Sequence, residues 1–159
     1  MAKRVYIETT IPSFYYTERQ DVESQARMHW TRRWWKEFSS EFFLISSAAV
    51  IAELSRGVSD QVQPRLELLQ SVRLVPINEE VETIARIYID KQVMPRDPQG
   101  DALHLAVAAF HKADFLLTWN CVHLANPNKF QQIRLLNFDL GLTSPTLTTP
   151  LNFLSGGET

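Results

Sequence analysis

Three carboxylates and one amide stand where this sequence is best placed to do chemistry. Glu8 ends the short apolar run RVYI at residues 4–7. Glu53 lies within AAVIAELSRG at 48–57, Asp101 opens the run Ala102 to Phe110, and Asn120 directly follows FLLTW at 115–119. Each has an ordinary use on its own: a charge at a helix N-terminus for Asp101, a solvated helix position for Glu53, a turn residue for Asn120. Glu8 is harder to place, because a carboxylate that ends a buried strand has few structural uses. Gathered at one point, such groups repel, and a divalent cation removes that cost. Oxygen ligands without Cys suit Mg²⁺ or Mn²⁺. A cation so held activates water and stabilises in-line attack on a phosphodiester. No Walker loop, dinucleotide fingerprint or nucleophile elbow competes with this reading. Ser46, Ser47 and Cys121 lack a base and an orienting partner for nucleophilic catalysis.

The elements that must position these groups are legible in the same stretches. From Ala102 to Phe110 the only polar residue is His104, and a helix apolar on nearly every side is buried on nearly every side. Phe115 to Trp119 is a short continuous apolar run, as in a strand covered on both faces. Helix, turn and central strand form half of a βαβ unit. Asp101 at the helix start and Asn120 past the strand end then fall on the same rim, where open α/β sheets place ligands.

Further strands are expected at Arg4–Ile7, Glu41–Ser46, Val72–Ile77 and Ile133–Asn137, with Pro76 marking an edge strand. Helices are expected at 21–38, with Val22, Ala26, Trp30, Trp34 and Phe38 as the inward stripe, at 47–56, at 64–71, and after Asn78 as N-cap. A short helical turn follows at His123–Asn126. The tail from about residue 138, rich in Thr, Pro and Leu, reads as irregular. Alternating strands and helices imply a parallel sheet covered on both faces, in a single domain spanning 1–159. Asp97, between Pro95 and Pro98, is a spare acid in a turn. Aromatics interleaved with Arg32, Arg33 and Lys36 between Trp30 and Trp35 suit core packing, base stacking or a partner helix.

With 45% apolar and 21% charged residues over 159 positions, and a net charge of -2, this is an ordinary globular composition. It argues against a strongly cationic general nucleic-acid binder. The single Cys121 excludes an internal disulfide. No apolar run reaches the roughly 20 residues of a membrane span, and the N-terminus lacks a signal-peptide core, so a cytoplasmic location is expected.

Three pieces, VYIETTIPS at 5–13, ISSAAVIAELSRG at 45–57 and DALHLAVAAFHKADFLLTWNCVHLAN at 101–126, resemble in this order and spacing a PIN domain of the bacterial VapC-like toxin branch. The resemblance implies a three-layer α/β/α sandwich on a five-stranded parallel sheet ordered 3-2-1-4-5. It implies an endoribonuclease dependent on Mg²⁺ or Mn²⁺, an RNA substrate, an inhibitory antitoxin partner and a homodimer. By position, Glu8 stands where most members carry the first aspartate, and Thr10 is the small polar residue two places on. Glu53 matches the helix glutamate, Asp101 the aspartate before the apolar helix, and Asn120 the fourth acid after Thr118 and Trp119. These four form the expected catalytic set, with Glu8, Asp101 and Asn120 as metal ligands and Glu53 as ligand or orienter of water. Thr10, Thr118 and His104 are expected at the substrate, with a structural role as the other use of His104. Two departures stand out. Glu8 adds a methylene, which displaces its oxygens by about 1.5 Å, and Asn120 removes a charge. A non-catalytic PIN-like RNA-binding or protein-interaction module is the rival reading, and a flavodoxin-like binding domain a third.

Overall fold

The computed structural model describes residues 2–96 and 100–156. Its centre is β1 (Arg4–Ile7), where Val5, Tyr6 and Ile7 are all at 0% exposure. The chain turns through α1 (Thr10–Tyr15) into α2 (Val22–Phe38), which starts where Asp21 Oδ2 accepts from Ser24 N at 3.0 Å. β2 (Phe43–Ser46), α3 (Ala48–Ser55) and α4 (Val62–Leu68) follow, then β3 (Arg73–Leu74). Next come α5 (Glu79–Asp90), α6 (Asp101–Phe110) and β4 (Phe115–Leu117). The chain finishes with α7 (Pro127–Asp139), β5 (Thr146–Thr148) and α8 (Pro150–Gly156).

All strand pairs are parallel and the order is β3-β2-β1-β4-β5, the expected 3-2-1-4-5 sheet within an α/β/α fold. Parallel neighbours need crossovers, and right-handed crossovers send the helices to the two faces. α6 has eight of its ten residues buried, with Ala102, Ala106, Ala108 and Ala109 letting it lie close to its neighbours. α5 packs beside it through Val81, Ala85 and Tyr88, the face expected from periodicity, and Asn78 Oδ1 caps it by accepting from Val81 N at 2.9 Å.

Three expectations need correction. Ile133–Asn137 is not a strand but part of α7. Asn126 caps that helix and Pro127 occupies its first turn, and the apolar spacing within it is helical, leaving Leu135 60% exposed. The fifth strand is Thr146–Thr148, so the tail beyond 138 carries a strand and a helix instead of being irregular. Of the expected inward stripe of α2, Trp34 is buried and Trp30 and Phe38 pack against the core, but Val22 is 87% exposed, Ala26 is exposed, and the other buried positions are Ser24 and Thr31. Trp34 earns its place through ring contacts with Phe42 and Phe153. The third strand is only two residues long, and Pro76 lies beyond its paired segment at the sheet edge. No helix among the described residues is long and apolar enough to cross a membrane.

Candidate metal centre

The carboxyl ends of β1 and β4 and the helices α3 and α6 deliver the four side chains to one rim. Pairing of Ile7 with Leu117 sets Glu8 next to Thr118, and Glu8 N donates to the Leu117 carbonyl at 3.2 Å. Glu8, Glu53, Asp101 and Asn120 all line a single pocket of about 310 Å³. Thus groups up to 112 residues apart in the chain meet where the strand order predicts.

Each acid is held by its own donors. Glu8 is 4% exposed. Its Oε1 accepts from Thr10 N at 3.1 Å, from the Thr10 hydroxyl at 2.5 Å and from the Thr118 hydroxyl at 2.6 Å. The extra methylene of a glutamate lets the carboxylate reach back over the first turn of α1. The Thr10 hydroxyl in turn accepts from Trp119 N at 2.8 Å, and the Thr118 hydroxyl from Asn120 N at 2.9 Å, which ties the end of β4 to the end of β1. Glu53 Oε2 accepts from the Thr9 hydroxyl and its Oε1 from His104 Nε2, both at 2.7 Å. Asp101, 4% exposed, accepts from Asn120 Nδ2 at 3.0 Å through Oδ1.

Asn120 spends its oxygen elsewhere. Oδ1 accepts from Val122 N at 3.2 Å and His123 N at 3.0 Å, and these two N–H donors fix which end of the amide is the oxygen. The residue therefore caps the turn after β4 and braces Asp101. Thr118 and His104 are both at 0% exposure, so neither faces the pocket as a substrate contact. Thr10 does line it, with its hydroxyl turned to Glu8.

His104 is the hinge of a buried chain. Its Nδ1 is hydrogen-bonded at 2.8 Å to the Tyr6 hydroxyl, itself 2.8 Å from the Ser47 hydroxyl. Burial opposes a charged imidazole. The hydrogen bond to Glu53 and the charges of Glu8, Glu53 and Asp101 outweigh it and raise the pKa above the ordinary histidine value. Burial likewise pushes the Tyr6 phenol far up, so it stays protonated as a hydrogen-bonding link.

The donor set suits a hard cation. Glu8, Glu53 and His104 place one donor atom each within 4.8 Å of one another, and Asp101 opens into the same pocket. Two carboxylates at 4% exposure and a third at 12% carry negative charge that a divalent ion neutralises. Both nitrogens of His104 are already engaged, which leaves the oxygens as the ligand atoms. The bracing and lining roles of Tyr6, Ser47, Thr9 and Arg27 are not apparent in the sequence: a tyrosine inside a buried strand, a serine at a helix start and a threonine next to Glu8 all have common structural uses. Asp97 lies outside the described residues. Of the aromatic segment, Trp34 is fully buried, Trp30 and Trp35 are half-buried, and Arg33 lies 5.6 Å from the Trp30 ring.

A family model for the PIN domain matches residues 20–120. Among solved structures, a toxin–antitoxin complex from Klebsiella pneumoniae matches at 16% identity with a TM-score of 0.61, covering 92% of this chain and 97% of that one. VapBC2 from Rickettsia felis, bound to a DNA fragment of its promoter, matches at 15% identity and a TM-score of 0.59, covering 92% and 98%. VapC20 of Mycobacterium tuberculosis, a toxin that cleaves the sarcin–ricin loop, matches at 15% and 0.55, covering 70% and 86%. At these identities the likeness is one of fold. No curated protein matches the sequence.

Proposed function

Because the chain belongs to the PIN-domain family, we propose that it is a Mg²⁺- or Mn²⁺-dependent endoribonuclease acting as the toxin of a toxin–antitoxin pair. The observation that carries this reading is the convergence of Glu8, Glu53 and Asp101 on one pocket, each held by separate donors. The cation would supply a Lewis acid for the phosphoryl oxygens and lower the pKa of a bound water. The chain's own part is positional. Glu8 and Asp101 hold the cation, Thr10 and Thr118 fix Glu8, and Asn120 fixes Asp101, a bracing role in place of a fourth acid. Glu53, steadied by Thr9 and His104, is ligand or orienter of the attacking water. Water adds to phosphorus, the P–O3′ bond breaks, and the fragments carry a 3′-hydroxyl and a 5′-phosphate. An antitoxin partner and a homodimer belong to the same reading, and the toxin–antitoxin complexes among the similar structures support the antitoxin partner.

The test is incubation of a 5′-labelled pool of single-stranded RNA with Mn²⁺, with EDTA, and with the Asp101→Asn variant. Cutting confined to wild type with Mn²⁺ is the expected result. Retention of RNA with no Mn²⁺-dependent cutting would replace the enzyme by a binding module.

A further inference from the structure

The pocket that gathers the acids has one basic side chain in its wall among the described residues, Arg27 of α2. Its guanidinium carbon stands 5.2 Å from the Phe14 ring centroid and 5.3 Å from that of Trp119. The two rings are 6.4 Å apart at 66°, so they form two walls of a slot. The slot is rigid. Trp119 Nε1 donates to the Thr31 hydroxyl at 2.7 Å, and Thr31, one helical turn after Arg27, donates to the Arg27 carbonyl at 2.6 Å. Rings hold a guanidinium by its face, which leaves the in-plane N–H fork open to an acceptor.

The fork now meets Glu23 at 2.8 Å, on the same helix one turn earlier. Glu23 is 72% exposed and Arg27 27% exposed, so the pair is screened and contributes little. A phosphate is a stronger, bidentate match for the same fork. Three carboxylates in one pocket repel a polyanion, and a fixed cation on their rim offsets that repulsion where the strand enters.

We propose that Arg27 binds a phosphate of a single-stranded RNA in this pocket, with Glu23 as the carboxylate it exchanges for that phosphate. The inference rests on the ribonuclease reading for its substrate class, and it makes Arg27 a substrate-binding residue outside the acid set.

The test uses the full chain and a fluorescent 12-nucleotide single-stranded RNA, with affinity read by anisotropy in Ca²⁺, an oxygen-seeking ion with tolerant geometry. Cutting in Mn²⁺ is followed in parallel. Arg27→Gln is expected to weaken binding about tenfold or more and to flatten the slope of log K against log salt by about 0.7. Glu23→Gln is expected to tighten binding, and Arg27→Lys to fall between. Mn²⁺ affinity and the thermal midpoint of Arg27→Lys stay near wild type. Wild type that binds RNA no better than Arg27→Gln, with the same salt slope, overturns the inference and leaves the nuclease reading standing if Mn²⁺-dependent cutting is seen. Binding lost on Arg27→Gln without any cutting by wild type upholds the inference and ends the nuclease reading. Wild type that neither binds nor cuts overturns both.

Discussion

The amide of Asn120 donates to Asp101 Oδ1 at 3.0 Å, while its oxygen takes the N–H groups of Val122 and His123. An aspartate at 120 would cap the same turn but would face Asp101 with a second negative charge. Asn120→Asp is therefore expected to cost the metal-free protein about 1–3 kcal/mol through the lost donor and the added repulsion. The same change should strengthen Mn²⁺ binding by adding a ligand. Thermal midpoints in EDTA and in Mn²⁺ measure both effects. A variant that loses stability equally with and without Mn²⁺ would refute the bracing role.

Thr118 donates to Glu8 at 2.6 Å and accepts from Asn120 N at 2.9 Å, with no exposure to solvent. Thr118→Val keeps the shape and removes both bonds. The expected cost is about 1–3 kcal/mol by urea denaturation, since a buried acceptor and a buried donor lose their partner. RNA cutting should fall with it because Glu8 is no longer fixed. A cost near zero would show that the hydroxyl does not hold the carboxylate.

His104 sets a pH dependence. Its pKa in the fold is raised above 6.5 because the Glu53 hydrogen bond and the nearby carboxylates outweigh the burial that opposes its charge. The folded protein then binds this proton more tightly than the unfolded chain. The resulting stability is fully present below about pH 6.5 and is lost as pH rises through the folded pKa. In EDTA, the urea midpoint of wild type should fall relative to His104→Gln between pH 6.5 and 9. A constant gap between the two proteins over that range would contradict the assignment.

Gly100, the residue before α6, has φ +83°, and a Cβ there would stand 3.4 Å from Glu53 Oε1. Gly141 has φ +73° with nothing within 4 Å of the same position. Alanine at either should cost about 1–2 kcal/mol from the left-handed backbone. The 3.4 Å approach to Glu53 is ordinary van der Waals contact, so Mn²⁺ binding should be unchanged in both variants. Urea denaturation and Mn²⁺ calorimetry on both variants check this, and a loss of Mn²⁺ affinity without a loss of stability in Gly100→Ala would contradict a purely backbone role.

The parallel sheet and the meeting of the acids were legible because β1, β2 and β4 are short, largely apolar runs whose ends carry Glu8, the approach to Glu53, and Asn120, while the strand order followed from the resemblance to a PIN domain. Strand ends point to the rim, and the side chains there inherit their place. The fifth strand was not legible. Thr146–Thr148 is three residues long and ends just before Pro150, whereas Ile133–Asn137 offers more apolar residues and hides its helical period in a 13-residue helix with Leu135 and Phe138 exposed. The inward face of α2 was legible at Trp34 but not at Thr31, a buried polar residue whose hydroxyl accepts from Trp119 Nε1, a bond that only the fold reveals. The bracing partners Thr9, Tyr6 and Ser47 are unreadable in one dimension for the same reason.

The most direct measurement is calorimetric titration of Mn²⁺ into the metal-stripped wild type and into Asp101→Ala, with circular dichroism to show that both are folded. The expected result is saturable binding to wild type and a loss of at least about tenfold in affinity in the variant, as removal of one charged ligand entails. Equal or negligible binding in both folded proteins would contradict a cation site built from Glu8, Glu53 and Asp101.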